Sequence, residues 1–136
     1  MTYRARLAVR TALGCAAMLA ASGFLPAIAA EQPAPRPAYI ALGEFTINLP
    51  PNNQQISYVV ISVTIDAQPA AASDLRAVEP RLKEAVMRRL MAMADRGVLQ
   101  PNNTDLEAIK QSLIGVLSEL HPDSVRDVLI VRLLYG

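Results

Sequence analysis

From residue 39 onward the hydrophobic and polar positions fall into five blocks, and the spacing of the apolar residues changes between them. In YVVISVTID, Val59, Ile61, Val63 and Ile65 alternate with Ser62, Thr64 and Asp66, the two-residue period of a strand with one buried face. Burying four such side chains is worth about 1.5–3 kcal/mol each, enough to found a core. The preceding YIALGEFTINL also alternates. Tyr39, Ala41, Gly43, Phe45, Ile47 and Leu49 are assigned to one face, with Glu44, Thr46 and Asn48 opposite. Gly43 weakens such a strand unless it marks a bulge or a close backbone approach. The intervening PPNNQQ is turn chemistry, so the two strands form a hairpin.

After AQPAAAS the period lengthens. Leu75, Val78, Leu82, Val86, Leu90 and Met93 recur at three- and four-residue steps, the stripe of an amphipathic helix. Ser73 or Asp74 is placed to cap it. Pro80 leaves two starts open: a helix proper beginning near Pro80, or a first turn from Asp74 that bends there. Gly97 supplies the stop. For the next helix, Thr104-Asp105-Leu106-Glu107 fits a capping box. Its stripe is Leu106, Ile109, Leu113, Val116 and Leu120, and Pro122 closes it. The last block, VRDVLIVRLLYG, is apolar on both faces from Val128 to Leu134, which predicts a strand with neighbours on both edges. The order is ββααβ: a single small α+β domain, a short antiparallel sheet packed against two helices, with no internal repeat. Such a sheet has two edges whose unpaired backbone groups can template another copy.

Residues 1–30 differ from the rest. A positive MTYRARLAVR, an apolar TALGCAAMLAASGFL and a small-residue PAIAA have the layout of a signal peptide cleaved next to Ala30. The alternative is an uncleaved membrane anchor, since Thr11 to Ala30 is an uncharged run of 20 residues that can just span a bilayer. Residues 31–38, opening EQPAPRP, read as a Pro-rich spacer, and residues 39–136 as the folded domain. Export of an Arg-rich, Lys-poor chain fits the periplasm of a Gram-negative bacterium. Cys15, the single cysteine, falls in the leading segment, so cleavage leaves a domain without thiols. Arg4, Arg6 and Arg10 fall there too, which leaves ten basic against twelve acidic side chains, a net of −2. That balance, with two Phe and no Trp, gives no electrostatic or stacking footprint for nucleic acid.

The same residues offer no catalytic, cofactor-binding or metal set. His121 is the sole histidine, at a helix end where the dipole suits it, and no second His accompanies it for a zinc site. Carboxylates are scattered: Asp123 and Asp127 flank the start of the last strand, and Glu84 is placed to pair with Arg88. Glycines never cluster into a phosphate loop. What stands out is the first helix, where Arg81 and Arg88 share a face, as do Arg89 and Arg96. A solvated outer face accounts for this. The sharper reading makes Arg81, Arg88 and Arg89 a docking surface for an acidic partner or for lipid head groups.

Four stretches, taken in order, carry a family resemblance. Tyr39-Ile40-Ala41-Leu42-Gly43-Glu44-Phe45-Thr46-Ile47-Asn48-Leu49 is similar to the opening strand of the flagellar basal body-associated protein FliL family, and Tyr58 to Ile65 to its next strand. Pro80-Arg81-Leu82-Lys83-Glu84-Ala85-Val86 resembles the start of the family's first helix, and Val125-Arg126-Asp127-Val128-Leu129-Ile130 its last strand. The resemblance implies a stomatin-like periplasmic domain at the inner membrane and flagellar basal body, with no enzymatic activity and no cofactor. It implies association with basal-body and stator proteins, self-assembly into a homo-oligomeric ring, and support of flagellar rotation, hence motility, swarming and chemotaxis. A periplasmic stomatin-like scaffold or adaptor of another envelope machine is the alternative.

Overall fold

The computed structural model describes residues 34–51, 53 and 58–136. The expected export segment and the first residues of the expected spacer, residues 1–33, lie outside the described residues, as do residues 52 and 54–57 of the hairpin loop. Residues 34–37 are exposed and without regular structure. The elements are β1 (Ala38–Asn48), β2 (Tyr58–Ala67), a 3₁₀ turn (Pro69–Ala71), α1 (Ala72–Ala77), α2 (Glu79–Asp95), α3 (Leu106–Leu120) and β3 (Val125–Tyr135). The sheet order is β1-β2-β3, antiparallel throughout. Helix α2 lies against β1 and α3 against β3, so the helices cover one face of the sheet. This is the small α+β domain read from the periodicity, with its first helix divided in two.

Strand β2 alternates as expected, with Val59, Ile61, Val63 and Ile65 buried. Strand β1 does not keep one phase. Its register steps from Ala41↔Thr64 to Gly43↔Val63, a bulge that leaves Leu42 and Gly43 opposite one residue of β2. Gly43 has φ +95°, a conformation that costs a glycine nothing. The extra residue flips the strand: Ile40 and Leu42 point inward before it, and Phe45, Ile47 and Leu49 after it. Tyr39, Ala41 and Gly43, expected on the inner face, are therefore exposed.

The last strand also departs from expectation. Among the described residues β3 pairs only with β2 and is an edge strand, and β2 alone has neighbours on both sides. A second bulge explains the misleading pattern. The register steps from Val63↔Ile130 to Ser62↔Arg132, leaving Val131 unpaired and exposed. Inward positions change from Val128 and Ile130 to Leu133 and Tyr135, so the run reads as apolar on both faces. Near the start of β3, Asp127 Oδ1 accepts the Val128 N–H at 2.8 Å while Lys110 Nζ lies 3.3 Å from the same carboxylate.

Val78 separates α1 from α2, and Pro80 occupies the first turn of α2, where an N–H would have no intrahelical partner. Ser73 and Asp74 cap nothing; both lie inside α1. Gly97, at φ +72°, ends α2 with two bonds, its own N–H to Ala94 O at 2.9 Å and the Val98 N–H to Met93 O at 3.0 Å. The cap of α3 is displaced by one residue from the expected box. Asp105 Oδ1 accepts the N–H of Glu107 at 3.0 Å and of Ala108 at 3.2 Å. Thr104 is diverted: its hydroxyl donates to Gln100 O at 2.8 Å and meets the Tyr135 hydroxyl. The buried stripe of α3 is Ile109, Leu113 and Leu117, with Leu106 and Leu120 exposed at its ends.

Candidate docking surface

The inner side of α2 is taken by Leu82, Val86, Leu90 and Met93, all buried against the sheet and α3. Ala85 and Ala94 are buried as well, and the arginines fall on other positions, Arg81, Arg88 and Arg96 exposed and Arg89 half-buried. Arg88 and Arg89, with Ala85 and Ala92, form one wall of an open groove of about 380 Å³, and Val116, Glu119 and Leu120 of α3 form the other. The alanines keep the groove open between the two helices. Arg81 does not join it. It lines a smaller neighbouring cleft with Val78, Leu82, Leu120 and His121. Leu120, 45% exposed, is shared by the two depressions.

The expected pair forms, with Arg88 Nη2 3.2 Å from Glu84 Oε1 and both side chains exposed. Arg89 is half-buried, and Arg96 turns back to donate from Nε to Ala92 O at 3.1 Å. The groove thus presents guanidinium groups beside a shallow apolar floor, with Glu119 as the acid among its lining residues. It suits the docking of an extended or helical partner segment. The spacing of the arginines was readable in the chain, but Ala85, Ala92 and Glu119 were not assigned to that surface, and Val116 and Leu120 were read as part of the inward stripe of α3. Only the packing of α3 beside α2 makes them neighbours. Among the described residues no group of three or more His, Cys, Asp or Glu is placed to hold a metal ion. No helix of the described residues is long and apolar enough to cross a membrane.

On the opposite side of the molecule, the open face of the sheet holds a polar cluster that sequence reasoning missed. Glu44 Oε1 accepts from Ser62 Oγ at 3.2 Å and from Arg132 Nη1 at 3.4 Å, joining all three strands. Its members lie 18 and 88 residues apart, so only the strand register reveals it.

A family model described as flagellar basal body-associated protein FliL matches residues 39–135. That span runs from the second residue of β1 to the last of β3 and takes in every helix. The chain belongs to the FliL family. Membership makes it a flagellar basal body-associated protein, of a family that is non-enzymatic. A search of curated proteins finds no match to the chain. The FliL match covers both helices that form the groove, so the candidate surface belongs to the family domain itself.

Proposed function

We propose that this FliL-family domain works in the periplasm of a Gram-negative cell, at the inner membrane, where it associates with the flagellar stator and supports rotation. The family match across the whole of the sheet and both long helices carries this reading. The protein acts by binding, with no turnover, and assembles into a homo-oligomeric ring beside the stator. Residues 1–30 export it, as a cleaved signal peptide or a retained anchor, and residues 31–38 hold the domain away from the bilayer. The α2–α3 groove receives the partner through Arg88 and Arg89, with Arg81 in the adjoining cleft.

A clean deletion strain tests the reading. Filaments should assemble normally while swimming and swarming fall, most under viscous load. Normal motility at both light and heavy load would remove the flagellar role and leave the stomatin-like scaffold of another envelope machine. Joint substitution Arg88→Glu and Arg89→Glu should reproduce the motility loss with an unchanged thermal midpoint. These side chains lie on the outer side of α2 and pack in no core, so surface-scale effects within about 0.5 kcal/mol are expected.

A further inference from the structure

Among the described residues no element covers the second face of the sheet, and the strand register gives that face a pattern. Reading across β1, β2 and β3, its rows are Tyr39–Asp66–Asp127, Ala41–Thr64–Leu129, Glu44–Ser62–Arg132 and Thr46–Val60–Leu134. The Glu44–Ser62–Arg132 row is antisymmetric, with an acid on one edge strand, a base on the other and a small hydroxyl between them, while the Tyr39–Asp66–Asp127 row carries two acids. Large apolar side chains are exposed at both ends: Tyr39 (54%), Tyr58 (41%) and Leu134 (53%). Tyrosine, aliphatic groups and a central arginine are the side chains that specific interfaces favour.

We infer that this face pairs with a second copy of the chain, sheet upon sheet, about a two-fold axis parallel to β2. Charge selects both the occupant and the axis. Rotation about β2 lays β1 of one copy over β3 of the other, so Glu44 faces Arg132 twice, once in each direction. The same operation sets Ala41 over Leu129 and Thr46 over Leu134. The other in-plane axis, across the strands through Ser62, would place Glu44 on Glu44 and Arg132 on Arg132. That arrangement makes two like-charge contacts, whereas the axis along β2 sets two Glu44–Arg132 pairs against a single contact of Asp66 with its own copy, so the balance favours the axis along β2. Three strands about 4.8 Å apart and ten residues long present a footprint of roughly 14 by 33 Å. This lies at the small end of specific interfaces, so the pair is reversible and depends on concentration. Asp66 falls on the axis and meets its own copy, and its Oδ1 already lacks a hydrogen-bond partner among the described residues. The pairing leaves the α2–α3 groove free and is independent of the flagellar reading.

The test uses the full chain as recovered from cells, in mild detergent where its leading segment is retained, in sedimentation velocity over a concentration series. A reversible dimer is expected. Glu44→Arg and Arg132→Glu should each weaken it on the order of tenfold or more, since each creates two like-charge contacts. An equimolar mixture of the two variants should regain the wild-type constant, because the new cation of one copy then faces the new anion of the other. Both variants break the bond within the chain equally, so recovery on mixing cannot arise there. Mixing Glu79→Arg with Lys83→Glu, comparable charge changes at an ion pair of α2 outside the groove, should leave association at the wild-type level. Asp66→Asn should tighten the dimer by removing a carboxylate pair at the axis. A chain that stays monomeric overturns the proposal, as does association that neither charge reversal weakens or that mixing fails to restore. In that second case ring assembly through another surface still stands, and the motility of the deletion strain is judged separately.

Discussion

Ile61 lies at the middle of β2 with no solvent exposure, between Phe45 of β1 and Leu133 of β3, while Thr64 faces the open side of the sheet. Ile61→Ala should cost about 2–5 kcal/mol, a large part of a typical 5–15 kcal/mol stability. Thr64→Ala should cost well under that. Denaturant midpoints of the two variants check the assignment, and equal shifts would contradict it. The face of β2 was legible because its alternation is unbroken over nine residues. The face of the first half of β1 was not. Gly43 signalled a bulge in the chain, but a bulge costs one residue of phase, and counting by twos through it assigned Tyr39 and Ala41 to the wrong side.

At the scale of elements, the helix ends show what composition reveals and what competition hides. Thr104 and Asp105 are both good caps, and a chain alone does not say which will be used. The structure gives Thr104 another duty, holding the Gln100 carbonyl and the Tyr135 hydroxyl, so Asp105 takes the orphan amides of α3. Asp105→Ala should lower stability by about 0.5–2 kcal/mol, seen as a drop in thermal midpoint, and Asp105→Asn should retain most of it. Equal losses in the two variants would show that the side chain is not acting as a cap. The ends of α2 were easier to read, since Pro80 and Gly97 each permit few backbone conformations. The place of β3 was harder. An apolar run on both faces normally marks a central strand, and here two inward registers joined at Val131 imitate it.

At the scale of the molecule, the arginines were legible and their setting was not. Ala85 and Ala92 become part of a groove wall only once Val116 and Leu120 are brought alongside, a contact across two helices that no periodicity states. The leading segment is the other whole-chain question. Pro26-Ala27-Ile28-Ala29-Ala30 has the small residues a signal peptidase requires, so the exported product should begin at or next to Glu31. Intact mass of the protein recovered from the periplasm decides it. A membrane-bound chain beginning at Met1 or Thr2 would instead identify residues 1–30 as an anchor.

The bulges at Gly43 and Val131 have a consequence for what the protein does at high local concentration. Fibrillar growth needs flat, identical segments of roughly six or seven residues that stack without interruption. Both strands with a bare edge are broken near the middle, and no uninterrupted piece of their pairing exceeds the six residues Gly43–Asn48. That piece carries Glu44, and on β3 the Asp127 carboxylate occupies the Val128 amide that an incoming strand would seek. Many copies can therefore crowd around one machine without zipping into a continuous ribbon. Any association between copies is then left to side-chain surfaces.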